Sequence, residues 1–358
     1  MKIGDVLISW YRKNKRTLPW RETREPYLIW ISEIILQQTR IAQGLSYYLR
    51  FVKTFPDIET LANADIDDVL KLWQGLGYYS RARNMHNTAK EIVRVYKGVF
   101  PTSSSRLKEL KGIGSYTSAA IASICYNEKI PVVDGNVIRL VCRLEAINEP
   151  IGTGVMNKKV FAIAESYMQK HSPGEINQAM MEFGALQCVP GKADCEICPL
   201  KKYCRAYKMN MVDILPVKKN KTRQKSRYFN YFIIVNNDHT ILSKRSENDI
   251  WRGLYEFPLI ETSSLETKTT LSKNEDFLKL INSGKVKIKK MGKNLKHILS
   301  HQIIHASFYI LKGMDLKKTC FNESEIVNVN QINSFPVSKL IEKFIETEWK
   351  NCVSLKVK

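Results

Sequence analysis

Three sets of residues in this 358-residue chain could do chemistry. The first is a lone carboxylate, Glu33, in the run Tyr27 to Leu36 (YLIWISEIIL). Read as a helix opened by Pro26, the run is apolar nearly all round: Tyr27, Trp30, Ile31, Ile34 and Ile35 form the main stripe, while Ile29 and Leu36 flank Glu33. An unpaired carboxylate buried there is costly, so Glu33 is either half of a structural ion pair or is kept protonated for a purpose. The second is Asp134, in Val132-Val133-Asp134-Gly135-Asn136, with Val137, Ile138, Val141 and Leu144 following at helical spacing. An Asp at a helix start is a common N-cap, and the same carboxylate could serve a reaction; the spacing leaves both open. The third is Cys188-x6-Cys195-x2-Cys198-x5-Cys204, whereas Cys125, Cys142, Cys320 and Cys352 are scattered. Without signs of secretion such a cluster means metal before disulfides, and four thiolates suit a structural zinc or a [4Fe–4S] cluster.

Several elements must hold these groups in place. Leu107, Leu110 and Ile113 give one helix its apolar side, Gly112 and Gly114 break it, and a new helix starts near Ser115. The body of that second helix, Thr117 to Cys125, is rich in Ala and Ser, so another backbone or a ligand can come close. The N–H groups of the turn lie at a helix N-terminus, which suits phosphate. Trp73 to Arg83 (WQGLGYYSRAR) interleaves aromatics with glycine and arginine. It reads as a turn that pushes a side chain into a base step while arginines hold phosphates, or as a plain helix–helix loop with core tyrosines.

A net charge of +21 and a pI near 9.5 favour a polyanionic partner, nucleic acid before membrane. No apolar run is long enough to span a bilayer, and the N-terminal run is too short for a secretory signal, so the expected location is cytoplasmic and nucleoid-associated. From Pro216 a basic stretch with Lys218, Lys219, Lys221, Arg223, Lys225 and Arg227 reads as a linker, solvated or laid along phosphates. Beyond it YFNYFIIVNN, TILSKR, YEFPLIE, KVKIKKM and HASFYIL read as strands, and Val337, Leu340, Ile341, Phe344 and Ile345 as a terminal amphipathic helix, giving an α+β second domain. His297, His301 and His305 have a spacing that could gather a metal on a helix, but Ile303, Ile304, Phe308, Tyr309 and Ile310 argue for a strand.

Leu110-Lys111-Gly112-Ile113-Gly114-Ser115-Tyr116-Thr117, followed by Val133-Asp134-Gly135-Asn136-Val137, resembles the helix-hairpin-helix and Gly/Pro-Asp motif of the endonuclease III superfamily of DNA glycosylases. Within it the chain is most similar to the adenine glycosylases of the MutY type. The resemblance implies a mainly α N-terminal glycosylase fold with an iron–sulfur loop and a smaller α+β, Nudix-like C-terminal domain, whose best local match is Trp251 to Pro258. Domain limits follow as 1–216 (a six-helix segment over about 28–134, and an iron–sulfur segment made of 1–27 with 135–216), a linker 217–228 and 229–358. It also implies that Glu33 and Asp134 are catalytic, that Tyr116 and Asn136 position Asp134 and water, and that Gln38 enters the base stack. Leu76 and Tyr78 match the wedge beside the flipped base, Gly112 and Gly114 the hairpin on DNA. Cys188, Cys195, Cys198 and Cys204 match the ligands of a [4Fe–4S] cluster, in a loop whose Lys192, Lys201, Lys202 and Arg205 would meet the DNA backbone.

Residues 259–290 lack the R-E-x-x-E-E helix a Nudix hydrolase needs, so the second domain is expected to recognise rather than hydrolyse. The resemblance further implies that Ser300 and His301 fall in the loop that inspects the damaged guanine; the family's Phe-Ser-His is Leu299-Ser300-His301 here. The implied activity is excision of adenine opposite 8-oxoguanine or guanine in double-stranded DNA by a monomer. Tyr116 stands where strand-cutting relatives carry lysine, which implies a monofunctional enzyme. The alternatives are a thymine glycosylase acting on G·T mismatches, which lacks the second domain, and a DNA-binding scaffold or iron–sulfur redox sensor, which leaves Glu33 unexplained.

Overall fold

Helices dominate the first two thirds of the chain: α1 (Ile3–Asn14), α2 (Pro26–Leu36), α3 (Ile41–Thr54), α4 (Ile58–Asn63), α5 (Ile66–Leu72), α6 (Ser80–Tyr96), α7 (Ser104–Leu107), α8 (Ser115–Tyr126), α9 (Gly135–Glu145), α10 (Gly154–Met168), α11 (Pro173–Leu186) and α12 (Arg205–Lys208). The computed structural model describes residues 2–218, 224–246, 249–281, 286–314, 316 and 324–354. It divides into two units, Met1–Asn63 with Asn84–Lys221 and Ala64–Arg83 with Thr222–Lys358.

In the first unit, α1, α9, α10 and α11 share a core of Leu7, Tyr11, Val137, Leu140, Val141, Met156, Val160, Ile176, Met180 and Phe183. The apolar run at 27–36 forms α2, and Tyr27 through Ile35, apart from half-buried Leu28, is buried. The small residues of α8 do allow close approach: a Cβ on Gly174 of α11 would stand 2.9 Å from the Ile124 Cα. The helix expected before the hairpin is shorter than its apolar pattern. The helix before the hairpin stops at Leu107, and Leu110 and Ile113 are buried from successive turns closed by Leu110 N–H to Leu107 O (3.2 Å) and Ile113 N–H to Leu110 O (3.1 Å). After α1, Leu18 to Arg21 forms a separate 3-10 turn, because Pro19 lacks an N–H and holds Leu18 extended.

The second unit is built on a mixed sheet of β1 (Lys225–Asn236), β2 (His239–Lys244), β3 (Tyr255–Glu256), β4 (Leu259–Thr262), β5 (Lys287–Ile298), β6 (Gln302–Lys312) and β7 (Ser324–Asn328). The order is β3-β2-β1-β6-β5, with β4 also on β1 and β7 also on β2; β1 and β6 are parallel. Phe229, Tyr231 and Ile233 point to one face, against α15 (Lys339–Ser354), while Phe232 and Ile234 point to the other, under α13 (Lys268–Leu271) and α14 (Glu275–Leu280). Burial on both faces is why the run reads as continuously apolar instead of alternating. Lys219, Lys221 and Arg223 of the basic run, like Cys320, lie outside the described residues. Arg227 is not linker: it sits in β1 and pairs with Asp249 (2.7 Å) and Glu261 (2.6 Å). His297 and His305 lie on β5 and β6, with His301 in the hairpin between them, so these histidines do not share a helix face. Among the described residues no helix is long and apolar enough to cross a membrane.

Candidate active site

A cavity of about 510 Å³ in the first unit is walled by α2, α8, α9 and α11, and Glu33, Tyr116, Asp134 and Asn136 all line it. Glu33 is 8% exposed, and burial pushes its carboxyl up to about 7. A hydrogen bond with Tyr116 works against that rise and the neighbouring charge of Asp134 adds to it. The cation acting on Glu33 is Arg21, whose N–H groups are committed elsewhere, to Glu182 (2.7 and 2.8 Å) and to the Arg16 carbonyl (2.8 Å). Glu182, also in the cavity wall, takes further bonds from the Arg16 side chain and backbone N–H. Its burial is overcome by these arginines, which hold its carboxyl down to about 2. Two buried glutamates in one wall are thus driven in opposite directions.

Asp134 is the N-cap of α9 and accepts the Val137 N–H at 2.7 Å. The capping role and a place in the cavity coincide in one side chain. Burial raises its pKa, while the Val137 and Asn136 donors and the charge of Arg139 favour the anion. Asn136 donates Nδ2 to Asp134 Oδ2 at 2.6 Å, and Arg139 Nη2 donates to Asn136 Oδ1 at 2.8 Å. Because a guanidinium only donates, this second bond fixes which end of the amide faces Asp134. Tyr116 is bonded to Glu33 and its hydroxyl also lies 3.6 Å from Met181 Sδ. Burial and the two carboxylates raise its pKa, so the hydroxyl keeps its proton.

Sequence reasoning missed Arg16, Arg139, Glu182 and Gly184. A Cβ on Gly184 would stand 2.6 Å from the Asn136 carbonyl oxygen, so α11 can lie against the start of α9 only with glycine there. A glycine inside an otherwise helical pattern is the signal that could have found it; the arginines carry no local mark. Gln38 is exposed in left-handed backbone just after α2, whereas Gln37 ties α2 to α8 through Thr117 Oγ1 (3.2 Å). In the hairpin Gly112 has φ +84°, and a Cβ there would meet Asn84 Cβ at 2.7 Å. Gly114 is in ordinary extended backbone with open space around it, and it caps α8.

The remaining candidates lie elsewhere. Of the wedge pair, Tyr78 is 51% exposed and Leu76 is buried; both belong to the second unit. Ser300 and His301 stand exposed at the β5–β6 hairpin, Oγ to Nε2 3.1 Å, and Leu299 packs against the core below. Cys188, Cys195, Cys198 and Cys204 line one hollow with Leu140, Leu144, Phe183, Leu200 and Val212. Arg143 Nη1 approaches Cys188 Sγ at 3.4 Å, and burial pushes the Cys198 thiol up to about 11. Among the described residues no group of three or more metal-binding side chains is gathered as tightly as an ion requires. Four thiols around one apolar hollow nevertheless fit the donor set of a cysteine-held cluster. The basic charge of this loop is partly compensated, Lys201 by Glu196 (2.6 Å) and Arg205 by Glu145 (3.4 Å).

Comparison with known proteins agrees with this architecture. Residues 31–163 match the HhH-GPD superfamily of base excision DNA repair proteins and residues 230–347 match a NUDIX domain. An adenine DNA glycosylase of Buchnera aphidicola (subsp. Acyrthosiphon pisum) is 35% identical, over 95% of this chain and 97% of its own length. That of Buchnera aphidicola subsp. Baizongia pistaciae is 36% identical over 85% and 83%, and that of Mus musculus 40% over 56% and 41%. A thermostable thymine-DNA glycosylase superposes with a TM-score of 0.52 at 26% identity, covering 57% of this chain and 95% of that one. An endonuclease III solved with DNA shares the fold at a TM-score of 0.51 and 20% identity. The chain belongs to the adenine DNA glycosylase family of base excision repair enzymes.

Proposed function

We propose that this enzyme is a monofunctional glycosylase that removes adenine paired with 8-oxoguanine or guanine in double-stranded DNA. The observation that carries the proposal is a pair of unequal carboxylates in one cavity: burial raises both, Glu33 to about 7, but Asp134 accepts from the Val137 N–H and Asn136 Nδ2, donors that favour its anion. Carboxylates whose environments differ in this way divide acid and nucleophile roles. A duplex hides the glycosidic bond, so the adenine nucleotide must first be flipped into the cavity. Protonated Glu33 then gives its proton to adenine N7, the C1′–N9 bond breaks with its electrons leaving on the base, and adenine departs neutral. The sugar is left as an oxocarbenium ion. Asp134 stabilises it, or bonds to C1′, until water adds there. The proton released by the water restores Glu33. Asn136 and Arg139 keep Asp134 aimed, and Tyr116 orients the Glu33 carboxyl.

Cys188, Cys195, Cys198 and Cys204 would hold a [4Fe–4S] cluster, which when bound supplies cross-linking of the loop and no step of hydrolysis. A brown protein whose iron analysis matches four irons per cluster is expected; stoichiometric zinc in a colourless, active protein would refute this. Tyr116 offers no amine for a Schiff base, so borohydride should trap little covalent enzyme–DNA adduct. In the second domain the Ser300 hydroxyl can accept the N7 hydrogen that 8-oxoguanine has and guanine lacks. A single-turnover assay on duplexes with A or T opposite 8-oxoguanine or guanine tests the whole reading. The thymine glycosylase alternative is favoured by the fold match to one, and predicts excision of T opposite G instead.

A further inference from the structure

Residues 64–83 fall inside the stretch matched to the repair superfamily, yet they pack in the unit built on the sheet. They carry the turn from Gln74 to Tyr79, in which Gly75, Gly77 and Tyr78 all have positive φ, at +98°, +71° and +47°. That conformation is unfavourable for a tyrosine and has to be held from outside. Some of the hold is local: Trp73 Nε1 donates to Gly77 O (3.0 Å), and Arg81 Nη2 to Leu76 O (3.3 Å) and Gly77 O (3.2 Å).

Further hold comes from the segment leading into α15 and from its first turn. The Val337 peptide is gripped from both ends of the turn, its N–H by Gln74 Oε1 (3.3 Å) and its carbonyl by the Tyr79 hydroxyl (3.2 Å). Gln74 also donates to Glu342 (2.8 Å), and Lys71 to Phe335 O (3.1 Å). A second anchor lies one helix earlier, where Asp67 takes bonds from Lys244 of β2 (2.8 Å) and from the Tyr255 hydroxyl of β3 (2.9 Å). Val337 is itself bridged to Tyr255, and the sheet runs on through β2 and β1 to the hairpin, where Lys225 N–H holds His301 O (3.0 Å).

We infer that the C-terminal domain positions the wedge turn: the Val337 clamp of Gln74 and Tyr79, backed by the Asp67–Lys244 anchor, sets the backbone that presents Tyr78 to DNA. Gln74, Tyr79 and Asp67 are positioning residues. The inference rests on reading Tyr78 as the wedge, and it gives the lesion-reading hairpin and the wedge one common sheet. Loss of this domain would therefore weaken base opening as well as lesion choice.

The test uses the full chain and a duplex with 2-aminopurine beside the target adenine, whose fluorescence rises when the stack opens. Tyr79→Phe with Gln74→Met should blunt that rise and slow single-turnover excision by about tenfold, the worth of one or two net hydrogen bonds. Excision from a pre-opened bubble, which needs no wedge, should stay within about twofold, a separation that a general folding defect would not give. Asp67→Lys should act the same way, and adding Lys244→Asp should restore the rise. The inference is overturned if the rise is unchanged in the clamp variant, if duplex and bubble suffer equally, or if the reversed pair restores nothing. Tyr78→Ser separates the two ideas. An unchanged rise in that variant removes the wedge reading itself, and a lost rise beside an intact clamp variant removes only the clamp.

Discussion

The two units each bury a cluster of carboxylates and hydroxyls, and they partner it differently. In the sheet unit Glu256 is bonded by Arg245 (2.7 and 2.8 Å) and by the Tyr231 hydroxyl (2.9 Å), and Asp249 by Arg227 (2.7 Å) and Arg245. Burial works against both charges: the partners hold the Asp249 carboxyl down to about 2, while the Glu256 carboxyl stays raised in spite of Arg245. In the helical unit Glu33 has a tyrosine for a partner, a cavity of about 510 Å³ beside it and a pKa driven up to about 7. Burial alone does not mark an active-site acid. What separates the two is that Glu256 is closed in by Arg245 and Tyr231, whereas Glu33 faces an open cavity and the nearby arginine has been given to Glu182.

The sharpest way to break this contrast is to make the same change on both sides. Glu33→Gln should retain DNA binding while excision falls by about 10²–10⁴-fold, the usual worth of a general acid. Near-normal single-turnover excision would remove Glu33 from the chemistry. Glu182→Gln, which takes the carboxylate from buried Arg21, should lose about 3–5 kcal/mol of unfolding free energy in denaturant titrations, and Glu256→Gln, after which Arg245 still has Asp249, should lose less. If either is as stable as the parent, the paired clusters are not the structural ties described here.

Much of this was legible in the sequence because it rests on local pattern. An apolar helix with one carboxylate, an Asp before a helix and two glycines in a turn need no partner to be noticed. The glycine signal was coarser than the physics: Gly112 requires its residue type, by φ and by contact with Asn84, whereas Gly114 sits in backbone open to others. Arg139, Glu182 and Gly184 escaped because each acts across the fold, with partners at Cys188, Arg16 and Asn136. Arg227 looked like linker charge for the same reason, since Asp249 and Glu261, which pair with it, are distant in sequence. The packing of 64–83 with the sheet depends on Val337 and Lys244, which no window around Tyr78 contains.

A smaller effect is expected at the hairpin of the sheet unit. Replacing Ser300 and His301 with alanine removes exposed side chains that carry no core packing, so stability should hold. The preference for A opposite 8-oxoguanine over A opposite guanine should shrink by about 1–3 kcal/mol, the value of one discriminating base-edge contact. Because the clamp on the wedge stays intact in this variant, it is a cleaner probe of lesion reading than deleting the domain. Full retention of the preference would move discrimination to the helical unit.

The smallest effect is also the one that measures the contrast directly, through pH. Glu33 binds its proton more tightly folded (about 7) than unfolded (4.5), so between these values the folded protein holds more protons and stability falls as pH rises. From pH 6 to pH 8 the loss should be about 1 kcal/mol. Glu182 has the opposite sign: its folded value of about 2 gives stability that is complete above 4.5 and fades only as pH falls toward 2, so it contributes no slope in this window. Denaturant titrations of the parent and Glu33→Gln across pH 6–8 should therefore diverge by that amount, with the variant the flatter of the two. The excision rate of the parent should decline over the same interval, because only the protonated acid can transfer a proton. Parallel stability curves would mean that Glu33 is ionised in the folded protein and that the cavity does not hold its proton.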